Sequence, residues 1–292
     1  MVDGQSNFPL NLKGMVIGNG VMDNDLNVDT ILQFAYAHGL IDQRLWEALE
    51  TSCCNGCADY CQFSLANTSF CIKNIEDILR LTWADGGLNV YDIYRYCYHP
   101  QRSLSLRYRA DVRGVLPHRF HSLLLNDYQE KYDKLAYKSD STNDGTPICL
   151  DGRAYTAYFR RADVRKALHI PEQAGKWFDC NDDVSQNYIR QYDNVFNEIK
   201  KIVQAGVKVL LYYGDTDMMC NFLMGQKFSE SLRLPLLQTK KAWRVGDQIA
   251  GFVTRYKGLD FLTIKGAGHM VPEWRAPESL QMIMRFVNNQ PY

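Results

Sequence analysis

Two carboxylates and one imidazole stand out as groups able to do chemistry. Asp215 and Asp217 follow an apolar run in "VKVLLYYGDTDMMCNF", and His269 follows another in "DFLTIKGAGHMVP". Short continuous apolar runs of this kind read as strands buried on both faces of a parallel sheet. Catalytic groups in open α/β sheets gather beyond the carboxyl ends of such strands. An Asp and then a His, each after a late strand, is the order of the last two members of a Ser, Asp, His triad on such a sheet. A carboxylate on one imidazole nitrogen selects the tautomer whose other nitrogen can take a hydroxyl proton. Glycines around His269 permit the tight turn that presents it. Taken singly, an Asp after a strand is often a turn former or a helix cap. Likewise, a lone His is more often structural than catalytic. Their order and matching positions favour the catalytic reading.

A base of this kind needs a nucleophile. No G-x-S-x-G occurs in the sequence. Ser103 and Ser105 lie among arginines, Ser139 and Ser141 in a polar tract, and Ser279 at the start of the C-terminal helix. Cys220 lies three residues from Asp217, but an adjacent acid raises a thiol's pKa and so disfavours the reactive thiolate.

The elements that must position these groups alternate between strand and helix. "LKGMVIGNG" (Leu12–Gly20), "VKVLLYYGD" (Val207–Asp215) and "DFLTIKGAG" (Asp260–Gly268) read as strands. "YDNVFNEIKKIVQAG" and "PESLQMIMRFVNNQ" read as helices beside them, which makes the class α/β. Residues 1–20 and 150–292 are expected to form the core, with 21–149 inserted as a cap. Within that insertion "VDTILQFAYAHGL" and "DQRLWEALETSCC" read as helices, Gly39 stopping the first. "AYKSDSTNDGTP" (Ala136–Pro147) is too polar to build a core. Three strands leave a bare sheet edge, so the sheet is expected to continue into further chain.

Composition narrows the function classes. The 292 residues are 46% hydrophobic and 12% aromatic, with a formal net charge of zero and no dense Lys/Arg run. A nucleic-acid partner would call for a basic surplus or stripe. No stretch reads as a membrane span or a signal peptide. Nine cysteines are present, five of them in "CCNGCADYCQFSLANTSFC" (Cys53, Cys54, Cys57, Cys61, Cys71). Zinc ligation and disulfides both suit such a cluster. The unequal spacing lacks the second C-x-x-C of a zinc ribbon and favours disulfides of an oxidising compartment, with no metal. Asn67-Thr68-Ser69 is an acceptor sequon, which makes Asn67 a glycosylation candidate.

Several motifs in one order, "NLKGMVIGNG", "FAYAHGLI", "GDTDMMCNF", "GDQIAGF", "FLTIKGAGHMVP" and "NNQPY", resemble those of the serine carboxypeptidases across Asn11–Tyr292. The resemblance implies an α/β-hydrolase fold with a helical, disulfide-bonded cap, of which this chain would hold the later strands. It implies a hydrolase that releases the last residue from peptides with a free C-terminus at acidic pH through an acyl-enzyme, without a cofactor. Asp217 and His269 match the family's triad acid and base. Tyr91 and Met270 match residues lining the pocket for the leaving side chain, which implies a hydrophobic preference. Cys220 matches a free thiol beside the site, and Cys97 with Cys149 a disulfide. Cys53, Cys54 and Cys57 with either Cys61 or Cys71 match two bridges in the cap. Cys180 matches a cysteine whose partner comes earlier than this chain begins. The family's serine elbow, G-E-S-Y-A-G, and part of its oxyanion hole precede the first strand and are absent here. This chain alone is therefore expected to be inactive. Lysosomal or secreted placement, a homodimer and association with other lysosomal hydrolases follow from the same resemblance. The competing reading is a short non-catalytic product that binds or stabilises other hydrolases.

Overall fold

The computed structural model describes residues 11–54, 56, 60–79, 81–82, 88–97, 149, 153–178, 184 and 187–292. The polar tract 136–147, Cys57 and Cys180 lie outside the described residues. The chain divides into two compact units. One comprises Met1–Ile75, Val90–Tyr94 and Gln191–Tyr292, the other Glu76–Asn89 and Arg95–Arg190.

The first unit is built on a sheet of β1 (Gly14–Gly18), β2 (Lys208–Gly214), β3 (Leu236–Val245), β4 (Gln248–Tyr256) and β5 (Leu259–Ile264). Their order is β1-β2-β5-β4-β3. The three strands expected from apolar runs lie side by side and parallel: Val16 pairs with Leu210, and Leu210 with Asp260. Alternate residues of β2 enter opposite layers. Val209, Leu211 and Tyr213 pack with Phe228, Phe261 and Ile199, while Leu210 packs with Trp243, Leu262, Met282 and Phe286. Burial on both faces is why β2 and β5 lack polar alternation. β1, expected to be buried likewise, is half-buried to exposed along its length, with Val16 38% exposed.

Sequence reading did not find the β3–β4 pair. It is an antiparallel hairpin in which Val245 pairs with Gln248 across Gly246-Asp247, and Gly246 has φ 57°. Gly-Asp between two strands is a hairpin signal. β3 is largely exposed, so it has no apolar run to mark it. β4 pairs antiparallel with β5. Gly251 of β4 lies so close to Thr263 that a Cβ would sit 1.8 Å from its carbonyl oxygen, and Trp243 donates its indole N–H to that oxygen at 3.0 Å. Among the described residues β1 has one strand neighbour.

The α-helices among the described residues are α1 (Asn24–Ala37), α2 (Gln43–Cys53), α3 (Ser69–Leu79), α4 (Arg153–Phe159), α5 (Ala162–Ala167), α6 (Phe196–Gln204), α7 (Phe222–Ser231), α8 (Val271–Trp274) and α9 (Ala276–Val287). Asp23 caps α1 by accepting the Leu26 N–H at 2.9 Å. Gly39, at φ 69°, ends it, and Leu40 N–H bonds back to Ala35 O at 2.9 Å. α2 is capped by Asp42. Cys53 is bonded to Cys71 and Cys54 to Cys61 in the first unit, and Cys97 to Cys149 in the second. Both Cys61 and Cys71 are therefore engaged, where the resemblance had offered one of them together with Cys57. In the second unit Trp177 packs on Tyr155 and Phe159. Among the described residues no helix is long and apolar enough to cross a membrane.

One buried acid gives the fold a pH dependence. Asp29 of α1 is 8% exposed and accepts the Ser64 N–H at 2.7 Å. Burial pushes its pKa from 3.8 up to about 6, against the pull of the Ser64 hydrogen bonds. Between those values the folded protein keeps a proton that the unfolded chain has released. Asp29's contribution therefore favours folding at low pH and falls as pH rises from about 4 to 6, by on the order of 3 kcal/mol. Asp29→Asn, which keeps an acceptor for Ser64, is expected to flatten this part of the stability profile in urea titrations at pH 4 and pH 7.

Candidate active site

β2 and β5 deliver two loops to one place. Gly214, the last residue of β2, has no room for a side chain: a Cβ would lie 2.2 Å from Ala267 O and 2.3 Å from Gly268 O. The two loops are stitched by Asp215 N–H to Ile264 O at 3.2 Å and Thr216 N–H to Ala267 O at 2.9 Å. The two neighbouring acids separate in role here. Asp215 Oδ1 accepts the Gly266 N–H at 2.6 Å and braces the turn. Asp217, with no exposed surface, turns inward. Its Oδ1 accepts the N–H groups of Met219 at 2.9 Å and Cys220 at 3.2 Å. Its Oδ2 lies 2.9 Å from His269 Nδ1.

The histidine is held from its own backbone as well. His269 N–H donates to Tyr91 O at 2.7 Å. A Cβ on Gly268 would lie 2.1 Å from the same carbonyl oxygen, so only glycine fits. The segment around Tyr91 also holds the Asp217 loop, since Val90 O accepts from Met218 and Met219, and Ile93 N–H donates to Thr216 O at 3.1 Å. The Tyr91 and His269 rings lie 5.4 Å apart at 57°. Burial pulls the pKa of His269 down, but the hydrogen bond and charge of Asp217 outweigh it and raise it above the ordinary 6.5. With Nδ1 tied to the buried acid and 30% of the side chain exposed, Nε2 is the nitrogen left for proton transfer.

Asp217, His269, Tyr91, Met270 and Cys220 thus come together around one pair of loops. Met270, half-buried, stands at the N-cap position of α8 without a side-chain capping bond. Cys220 is a buried free thiol, and burial first and Asp217 second push its pKa well up. Asp217, Cys220 and His269 present an oxygen, a sulfur and a nitrogen within 4.8 Å of one another, a donor set zinc accepts. Against that use, both Asp217 oxygens already receive N–H donors, and burial with the neighbouring Asp217 disfavours the thiolate. Asn67 is exposed just before α3.

Three buried amides escaped the sequence reading. Asn19 donates its Nδ2–H to Asp217 Oδ2 at 2.8 Å. Asn27 donates to Met219 O at 3.1 Å, and Asn221 donates to Asn27 Oδ1 at 3.4 Å while capping α7 through the Met224 N–H. Gly18-Asn19-Gly20 was a visible signal, since a polar residue between glycines after an apolar parallel strand sits at the functional end. Asn27 and Asn221 had none.

The chain is 33% identical to serine carboxypeptidase ctsa-4.1 of Caenorhabditis elegans over 100% of its length and 60% of that protein. It is also 33% identical to the lysosomal protective protein of Mus musculus, over 97% of this chain and 60% of the relative. It therefore spans about 60% of the length of these relatives. A solved structure of Kex1(delta)p, a prohormone-processing carboxypeptidase from Saccharomyces cerevisiae, superposes with a TM-score of 0.62 at 17% identity, over 98% of this chain and 57% of that one. That likeness is one of fold. A family model described as serine carboxypeptidase matches residues 1–289, and the chain belongs to the serine carboxypeptidase family.

Proposed function

We propose that this chain carries the acid and base of a serine carboxypeptidase active site and that the nucleophilic serine comes from polypeptide outside these 292 residues. The observation that carries the reading is the 2.9 Å contact between His269 Nδ1 and the buried Asp217, in a chain of this family. In the proposed reaction His269 Nε2 takes the serine hydroxyl proton as the oxygen attacks the last peptide carbonyl. The protonated imidazole then gives that proton to the departing amine, and the C-terminal residue leaves an acyl-enzyme. Water repeats the sequence and frees the shortened peptide. Tyr91 and Met270, flanking His269, would face the leaving side chain and favour an apolar one. Disulfides suit an oxidising compartment, in keeping with a lysosomal or secreted protein, glycosylated at Asn67 and dimeric.

The pH range is a separate matter. A base whose pKa is raised above 6.5 becomes neutral only as pH climbs past it. An acidic optimum, as the resemblance implies, would then reflect groups other than His269, such as those that bind the substrate.

The test is the intact mass and N-terminal peptide of the native protein, with phosphonate labelling. The expected result is a longer polypeptide whose G-x-S-x-G serine is labelled and which trims peptides with a free, but not an amidated, C-terminus. The 292-residue chain alone should take up no label. A native polypeptide beginning at Met1 without a labelled serine would overturn the enzymatic reading and favour a non-catalytic binding role.

A further inference from the structure

Asn19 lies one residue past β1 in a left-handed conformation, φ 44°, which Asn tolerates better than other residues with a side chain. Its neighbours hold it there. A Cβ on Gly18 would lie 2.2 Å from the Tyr212 ring, and one on Gly20 2.7 Å from Ile17 Cγ2. Asn19 N–H donates to Tyr212 O at 2.9 Å, and the Tyr213 hydroxyl donates to Gly20 O at 2.8 Å. The turn drives the side chain, 4% exposed, toward the Asp217 loop. There Nδ2 donates to Asp217 Oδ2 at 2.8 Å, and Oδ1 accepts the Gly214 N–H at 3.4 Å.

We infer that Asn19 is the positioning residue of the Asp217–His269 pair: its amide, anchored on Gly214, aims Oδ2 at the imidazole and shares the charge of that oxygen. The inference rests on the functional reading given above. Two donors on Oδ1 and two on Oδ2 fill the lone-pair directions of the carboxylate. Of these four, the Asn19 amide is the donor that competes with His269 for the same oxygen. Without it, the imidazole alone meets the charge on Oδ2, and protonated His269 is held more strongly. The link joins residues 198 positions apart, so it ties β1 to the catalytic end of β2. The other titratable groups around the pair are the Cys220 thiol, Tyr91, Tyr213, Asp92 beside Gly268 and Asp215 on Gly266. Of these, Tyr213 touches the Asn19 turn itself, through Gly20 O.

The test is an NMR titration of the full 292-residue chain with 13C-labelled histidine, with His269→Gln identifying the His269 resonance. Asn19→Gly removes the amide and leaves a residue at ease with positive φ. Asn19→Ala removes it and keeps a Cβ. Near-UV circular dichroism checks that each is folded, and either folded variant suffices. Both are expected to raise the His269 pKa by about half a unit or more, the size of one net hydrogen bond. A merely turn-shaping Asn19 would leave it unmoved when replaced by glycine, so an unchanged or lowered pKa in the folded variants overturns the inference. Asp217→Asn separates the two levels of argument. If it fails to lower the His269 pKa, the pair itself is wrong and the functional reading falls. If it lowers that pKa while the Asn19 variants do nothing, only the role of Asn19 falls.

Discussion

Asp217→Asn, made in the longer polypeptide proposed to carry the serine, is expected to cut kcat against a peptide with a free C-terminus about 10,000-fold. The carboxylate accepts four N–H donors, from Met219, Cys220, Asn19 and His269. An amide can present only one oxygen, so its NH2 must face two donors whichever way it turns. If it faces Asn19 and His269, it selects the imidazole tautomer that cannot take a proton at Nε2. Left facing Met219 and Cys220, it strands buried backbone donors at about 1–3 kcal/mol each. The variant also predicts a sign. In the native protein the raised pKa of His269 gives stability that is present below 6.5 and lost as pH rises through the folded value. With the Asp217 charge gone, the lowering effect of burial remains. His269 should then titrate below 6.5, and its contribution should grow with rising pH. Activity within tenfold of the parent enzyme would show that Asp217 does not orient the base.

Gly214→Ala is expected to be among the most damaging single methyl additions in the site. A Cβ there would meet backbone rather than a yielding side chain, 2.2 Å from Ala267 O and 2.3 Å from Gly268 O. Relief requires the β5 loop to move away from β2, and that loop carries His269. We expect a loss of about 3 kcal/mol, at the upper end for overpacking, read as a lower urea midpoint with an unchanged slope. The His269–Asp217 contact should open as well, so the His269 titration should move toward that of Asp217→Asn. A variant of native stability with an unmoved His269 would show that the loops yield freely.

Much of this was legible in the amino-acid order, for identifiable reasons. A strand buried on both faces must be apolar throughout, so the runs that became β2 and β5 announce themselves whatever surrounds them; β1 carries the same apolar run but is half-buried to exposed. The acid and the base follow two of those strands, and the ends of parallel strands are where such groups converge. Helix α1 carries its own stop at Gly39.

Other features depended on distance through the chain. By chemistry and position alone Asp215 and Asp217 look equivalent, and only the family resemblance singled out Asp217. Gly266 captures one and His269 the other, and only the approach of the β5 loop to Gly214 decides which. The β3–β4 hairpin was hidden because an exposed strand needs no apolar run. Cysteine spacing could not choose partners, since pairing depends on where α2 and α3 bring their ends. Asn19 reads in sequence as a turn residue between glycines. Its place on Asp217 exists only because β1 and β2 pair in parallel, and that brings together residues nearly two hundred positions apart. Local chemistry and periodicity are written residue by residue, whereas a hydrogen bond across the sheet is settled only when the strands pack.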